Sequence, residues 1–153
     1  MQKYGIETEI VQIGRKPVHM CINCGGCHEN NGKGCVYDDD ICSLITEKMA
    51  TADALIVGTP VYYGQPNGGV LSLMQRLFFS AGHLVQNKPA VVTSQYWNIA
   101  YGAGKGEVKL DTEGMQTMRT LATNMAFLLQ KIHADGDSAP KRDERPQFMN
   151  FIR

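Results

Sequence analysis

Four of the five cysteines occupy one short segment and follow the spacing C-x2-C-x2-C-x7-C. They are Cys21, Cys24, Cys27 and Cys35. Thiolates at this spacing can enclose one 4Fe-4S cluster, and the glycines of the segment remove side chains where the loop must fold tightly around it. A tetrahedral zinc site uses the same four thiolates, and free thiols in a glycine-rich loop are the third interpretation. The residues alone leave all three open.

Disulfide bonds are not the expected state of these cysteines. The first five residues, Met-Gln-Lys-Tyr-Gly, contain no apolar region of the kind found in secretion signals. We therefore expect a cytoplasmic protein, and in that compartment clustered cysteines serve as metal or redox ligands more often than as disulfides. The fifth cysteine, Cys42, lies with Ile45 and Met49 on the apolar side of a predicted helix, so we expect a buried structural thiol there.

The loop of residues 59–69 is the second segment suited to chemistry, because it is rich in glycine and proline. Proline stiffens the exit from a strand, glycine lets backbone approach a ligand closely, and a tyrosine ring can pack on a flat aromatic cofactor. A plain connection between a strand and a helix uses the same residues, so this alternative stays open. The candidate cofactor-binding residues are Thr59, Pro60, Val61, Tyr62, Tyr63 and Gly64.

No residue is nominated as a catalytic acid or base. The four histidines are not paired with any obvious cysteine or serine nucleophile, so we expect them to have surface or structural roles. Three consecutive aspartates at 38–40 precede a helix that is predicted to begin near Ile41. Consecutive side chains do not converge on one ion, so we expect these carboxylates to cap the helix.

The cysteine segment and the loop of residues 59–69 are expected to be held in place by alternating strands and helices. Apolar or alternating runs predict strands at residues 6–13, 54–58 and 88–93. Helical spacing of apolar residues predicts three helices: one from Ile41, one after residue 69, and one from about Thr112 to Ile132, for which Asp111 is the expected cap. The alternation predicts an α/β fold with a parallel sheet, whose ligands bind beyond the carboxyl ends of the strands. The expected buried faces of the second and third helices are Val70, Met74, Leu77, Phe78 and Ala81, and Met115, Met118, Leu121, Ala122, Met125, Leu128, Leu129 and Ile132.

Composition excludes several classes of protein. Apolar residues make up 43% of the 153-residue chain, which excludes a disordered protein. The formal net charge is +0, so no global field attracts nucleic acid or an anionic membrane, and we expect neither as a partner. No apolar stretch approaches the ~18 residues that a membrane span needs.

Several motifs, in their order along the chain, resemble the NADPH-dependent FMN reductase family of the flavodoxin-like superfamily. The cysteine segment followed by the aspartates resembles the iron-sulfur flavoprotein branch of that family. The motifs are Cys21-Ile22-Asn23-Cys24-Gly25-Gly26-Cys27 with Cys35 and Asp38-Asp39-Asp40, Gly58-Thr59-Pro60-Val61-Tyr62-Tyr63-Gly64 with Pro66-Asn67-Gly68, Ser94-Gln95-Tyr96-Trp97-Asn98, and Asn150-Phe151-Ile152-Arg153.

The resemblance implies a flavodoxin-like three-layer sandwich over residues 1–133, followed by a C-terminal tail at 134–153. It implies an FMN-dependent oxidoreductase that takes electrons from NAD(P)H and passes them through FMN to a small-molecule or protein acceptor, with a possible 4Fe-4S cluster at the four cysteines. The alternatives are an electron-transfer protein without its own substrate and a flavin-free scaffold. Members usually place FMN near a subunit interface. The apolar ending at residues 148–152 therefore leads us to expect a homodimer or tetramer.

The sequence departs from the family in two places. The family begins with a central strand and a loop that cradles the FMN phosphate, and neither precedes Met1 here. The family also has a βα unit before its last strand, which with the following strand takes ~30 residues. Here Pro89 runs almost directly into Ser94. We therefore expect the intact protein to be longer at its N-terminus and between these two residues.

Overall fold

The computed structural model describes residues 1–29, 34–82, 84 and 91–134. By their contacts, residues 7–88 form one compact unit, and residues 1–6 with the chain from residue 89 onward form another. The predicted tail at 134–153 and its apolar ending lie outside the described residues, except for Ala134. The division into a domain at 1–133 and a tail therefore stays a prediction.

The unit of residues 7–88 has its core between two helices, α2 (Cys42–Thr51) and α3 (Gly68–Ser80). A single helical turn, α1 (Gly26–Glu29), precedes them. Helix α2 begins one residue later than predicted, at Cys42, and Cys42 is buried as expected. The core cluster consists of Cys42, Ile45, Met49, Leu73 and Leu77, with Val11, Ile13, Val18, Ile41 and Leu84 packed against it.

The buried face of α3 differs from the prediction. Val70, Leu77 and Ala81 are buried as expected, but Phe78 is 40% exposed, and Leu73 occupies the core instead. The predicted face was rotated relative to the observed one, because the inward positions of this helix include Leu73 and exclude Phe78. The inward positions between Leu73 and Ser80 are shared with a charged residue, Arg76.

The sheet in the described part of the chain is a two-stranded antiparallel hairpin, β1 (Val61–Tyr62) with β2 (Gln65–Pro66). Strands were also predicted at residues 6–13, 54–58 and 88–93. The described residues of these three segments are not part of any β-sheet. Ile10 is 85% exposed and Ile56 is 56% exposed, so these apolar segments have no sheet neighbour among the described residues. A strand persists only when an adjacent strand accepts its backbone hydrogen bonds. The parallel sheet therefore stays a prediction.

The other unit is built on α4 (Thr112–Ala134), with short 3₁₀ turns at Gln2–Tyr4 and Glu107–Leu110. The predicted cap is confirmed, because Asp111 Oδ1 accepts a hydrogen bond from the backbone N–H of Gly114 at 3.0 Å. Of the predicted apolar stripe, Met125 is buried, whereas Ile132 is 39% exposed. Within the described residues, no helix is long and apolar enough to cross a bilayer.

Candidate functional site

The four clustered cysteines border a single pocket in the unit of residues 7–88. Cys27 is buried, Cys24 is exposed, and Cys21 and Cys35 are partly buried, and all four are free thiols. The pocket is completed by Ile22, Gly25, Val36, Tyr37, Arg76, Phe79 and Ser80. All four cysteines therefore line one pocket, and their role as metal ligands stays a prediction.

Helix α1 and one close backbone approach shape this pocket. Cys27 lies in α1, and its neighbour Gly26 begins that turn. A Cβ atom at Gly26 would collide with the side chain of Val36, so glycine is required where the two arms of the loop meet. Burial raises the pKa of the Cys27 thiol, which disfavours its thiolate form.

Arg76 supplies a positive charge on one side of the pocket. Its side chain is fully buried, and its Nε donates a hydrogen bond to Cys35 Sγ at 3.2 Å. Its Nη1 forms an ion pair with Asp40, and its Nη2 donates to the carbonyl of Tyr37 at 2.6 Å. Burial disfavours the charged form, but the bonds to Cys35 and Asp40 outweigh it, so the pKa of Arg76 is raised and the guanidinium stays charged.

Asp40 is the carboxylate that balances this charge. Its Oδ1 accepts a hydrogen bond from the backbone N–H of Cys42 at 2.9 Å, which caps helix α2 as the sequence predicted. Its Oδ2 accepts from the backbone N–H of His19 at 3.0 Å as well as from Arg76. Burial alone would raise the pKa of Asp40, but the bonds from Cys42, His19 and Arg76 lower it.

The four thiols suit an iron–sulfur cluster in donor chemistry. A cluster held by four thiolates would be anionic, and Arg76 offers both a compensating charge and an N–H group directed at Cys35 Sγ. A group with closely spaced metal-ligand atoms is instead found at His19, Asp39 and Asp40, whose atoms lie within 4.8 Å of one another. Asp40 is already paired with the buried guanidinium, and this pairing disfavours a cation there.

The six candidate cofactor-binding residues lie in and next to the β1–β2 hairpin. Tyr63 and Gly64 form its two-residue turn, and both have positive φ, 53° and 77° respectively, as in a type I′ turn. The ring of Tyr63 is fully exposed and Tyr62 is 59% exposed. The hairpin therefore presents two tyrosine rings that the described part of the chain leaves uncovered.

Two hydrogen bonds fasten the hairpin to helix α3. Thr59 Oγ1 accepts from the backbone N–H of Asn67 at 3.0 Å and donates to the carbonyl of Pro60 at 3.0 Å. Asn67 Oδ1 accepts from the backbone N–H of Gly69 at 2.8 Å and so caps α3. A Cβ atom at Gly64 would meet nothing within 4 Å. The positive φ of Gly64 favours glycine at this position, and space for a ligand remains beside it.

Arg76 lines the pocket but is not among the residues that the sequence singled out. The helical period pointed to it, because Arg76 lies three residues after the buried Leu73 and one before the buried Leu77. A charged residue at an inward position of an otherwise apolar helix requires a buried partner. Its neighbours in the fold, Asp40 and Cys35, are too distant along the chain for spacing to reveal.

Comparison with known proteins identifies relatives of one kind. The family model described as NADPH-dependent FMN reductase matches residues 1–130. An iron-sulfur flavoprotein of Methanocaldococcus jannaschii is 27% identical over 164 residues, which cover 84% of this chain and 83% of the relative. An iron-sulfur flavoprotein of Methanosarcina thermophila is 40% identical over 72 residues, which cover 47% of this chain and 36% of the relative. An iron-sulfur flavoprotein of Archaeoglobus fulgidus is 36% identical over 76 residues, which cover 50% of this chain and 36% of the relative. No solved structure matches the chain.

The first of these alignments contains gaps in this chain. It has 164 positions but uses 84% of the 153 residues, which is about 129, so about 35 positions have no counterpart here. With the other two relatives the chain shares only about a third of their length.

Proposed function

Because the chain belongs to the NADPH-dependent FMN reductase family, we propose that it is an FMN-dependent oxidoreductase that passes electrons from NADH or NADPH to an acceptor. The family implies a flavodoxin-like fold. We further propose that the four cysteines hold a 4Fe-4S cluster, since three relatives are named iron-sulfur flavoproteins. The acceptor is a small molecule or another protein, and the active form is a homodimer or tetramer.

The observation that carries this proposal is the grouping of Cys21, Cys24, Cys27 and Cys35 around one pocket. Four thiols separated by up to fourteen positions of sequence converge there, and a buried guanidinium lies against one of them. The arrangement suits an anionic metal centre and favours the cluster over the free-thiol interpretation.

The proposed flavin contact is the hairpin, with Thr59, Pro60, Val61, Tyr62, Tyr63 and Gly64 as its residues. The exposed tyrosine rings supply flat apolar surface for a ring system, and the turn supplies backbone N–H groups for its polar edge. Thr59 and Asn67 hold this surface on the end of α3, so little ordering is left to occur on binding.

Helix α3 connects the two proposed sites. The hairpin lies directly before its first residue, Gly68, and Arg76 lies eight residues along it. At a rise of 1.5 Å per residue, this separation is about 12 Å along the helix axis. When bound, FMN would supply the two-electron chemistry with the nicotinamide and the cluster would supply one-electron chemistry. The protein's part is to hold both groups on one rigid element.

Anaerobic addition of NADPH to the FMN-loaded full chain tests the enzymatic part of this proposal. Bleaching of the flavin absorbance within seconds to minutes supports a reductase. A second candidate, an electron carrier without its own nicotinamide substrate, is favoured by the relatives' names, which mention no reductase activity. For a carrier, NADPH leaves the flavin bands unchanged while dithionite bleaches them.

A further inference from the structure

The guanidinium of Arg76 joins the two ends of the cysteine segment. Its Nη1 lies 3.5 Å from the carbonyl oxygen of His19, and its Nη2 donates to the carbonyl of Tyr37 at 2.6 Å. All four clustered cysteines lie between these two residues in the sequence. One side chain, fixed in the middle of α3, therefore bonds to the backbone on both sides of the loop.

Further contacts between these residues strengthen this closure. The rings of His19 and Tyr37 stack with centroids 4.5 Å apart and an angle of 13° between their planes. The Arg76 guanidinium lies 5.5 Å from the centroid of the Tyr37 ring. Asp40 accepts hydrogen bonds from both Arg76 and the backbone N–H of His19, so the carboxylate fixes the guanidinium and the start of the loop together.

We propose that Arg76 and Asp40 form a clasp that closes the cysteine loop and positions Cys35 Sγ as a ligand. The clasp consists of these two side chains together with His19 and Tyr37. Its role toward a cluster rests on the proposed function, whereas the closing of the loop does not. Arg76 is a positioning residue, because it touches a ligand sulfur and carries out no chemistry itself.

Physical reasoning supports a positioning role over a purely stabilising one. A buried ion pair contributes little net stability, since desolvation offsets the attraction, and apolar replacements of similar volume are often as stable. Most of the loop between residues 19 and 37 lacks regular structure in its described part, so it depends on side-chain bonds for its shape. Arg76 provides those bonds at both ends, and its planar fork of N–H groups is what allows several acceptors to be held at once.

The first test uses the metal-free full chain and the Arg76→Lys variant. Lysine keeps the charge but cannot hold Cys35, Tyr37 and His19 in the same geometry. The reporter is the alkylation rate of Cys27 by iodoacetamide, measured by peptide mass spectrometry. Cys27 is buried in the pocket that the loop and helix α3 form, and no hydrogen bond joins it to Arg76 in the structure described, so its rate reports loop opening rather than a lost charge.

We expect Cys27 to be alkylated at least tenfold faster in Arg76→Lys, with Cys42 unchanged. Arg15→Lys, a matched change at an exposed arginine of the same unit, should leave both rates as they are. An unchanged Cys27 rate overturns the clasp. Equal acceleration of Cys42, which lies in the core, also overturns it, because the variant then loosens the whole unit and not the loop.

The second test measures the reduction potential of the protein after reconstitution with iron and sulfide. Hydrogen bonds to ligand sulfurs stabilise the reduced, more negative state of a cluster. We expect the reduction potential to be more negative in Arg76→Lys than in Arg15→Lys. A tenfold lower ratio of reduced to oxidised cluster at a given potential corresponds to a shift of about 59 mV. An unchanged potential overturns the contact with Cys35. If the unsubstituted chain forms no cluster, the cluster part of the proposed function fails, and the Cys27 rates still decide the clasp.

Discussion

Tyr63 has an unfavourable backbone conformation that no contact with the described part of the protein explains. It is a non-glycine residue at φ 53°, and its ring is fully exposed. The left-handed conformation costs ~1–2 kcal/mol for an ordinary L-residue, and asparagine tolerates it better than most. Asn-Gly is also the favoured pair for a type I′ turn. We therefore expect Tyr63→Asn to stabilise the protein.

We expect Tyr63→Asn to raise the stability of the protein and to lower its affinity for FMN. Relief of the strain should be about 1 kcal/mol, which raises the Tm by ~2–4 °C for a chain of this size. If the Tyr63 ring stacks on the flavin, its loss should weaken FMN binding by ~0.5–1.5 kcal/mol, or about 2- to 13-fold in Kd. One substitution should thus make the protein more stable and its FMN affinity lower.

Thermal unfolding followed by circular dichroism gives the first quantity, and quenching of FMN fluorescence on titration gives the second. Tyr101→Asn is the matched control, because Tyr101 is also exposed but does not have a positive φ. It should show neither the gain in Tm nor the loss of affinity. A lower Tm for Tyr63→Asn would refute the analysis of the turn. An unchanged Kd in the stabilised variant would remove Tyr63 from the flavin site.

Three other outcomes are expected. Gly64→Asn should keep the turn, since a Cβ there meets nothing within 4 Å, yet raise the Kd for FMN ~30–150-fold if the ring lies against this backbone; an unchanged Kd would contradict that placement. Hydrogen bonds from the backbone N–H groups of Gly114 and Tyr101 lower the pKa of Asp111 in the folded protein. The ionised carboxylate therefore stabilises the fold fully at pH values above the pKa of about 3.9 that Asp111 has in the unfolded chain. This stabilisation is lost as the pH falls through the lower pKa of the folded state. In Asp111→Asn the Tm, measured by circular dichroism, should fall less steeply with decreasing pH than in the unsubstituted protein. An identical pH dependence of the Tm would contradict the assignment. Deletion of residues 148–153 should reduce a homodimer or tetramer to monomers in sedimentation velocity, and a monomeric full chain would contradict that proposal.

Local patterns in the sequence predicted the local structure of the helices well. The spacing of Ile45 and Met49 predicted the buried side of α2, and Asp111 predicted the start of α4. Caps and helical periods depend on residues close together in the chain, so they can be inferred without knowledge of the fold. The turn at Tyr63 was not predicted as a hairpin, because its pair is not one of the usual turn sequences and only the observed φ values reveal it.

Long-range contacts could not be predicted in the same way. The sequence grouped the four cysteines by spacing, and the structure confirms that they share a pocket. The pairing of Arg76 with Asp40 joins residues 36 positions apart, and no pattern along one chain encodes that contact. The predicted strands failed to appear among the described residues for a related reason. Strand formation depends on a hydrogen-bonding neighbour, and apolar content alone cannot supply one.

The visible absorption spectrum of the full chain, reconstituted anaerobically with FMN, iron and sulfide and then desalted, tests the central claim most directly. The account predicts two flavin bands, in the blue and near ultraviolet, together with a broad brown shoulder from a cluster. The shoulder should disappear when Cys21, Cys24, Cys27 and Cys35 are all replaced by serine, while the flavin bands remain. A desalted protein that shows neither the flavin bands nor the shoulder would contradict the account.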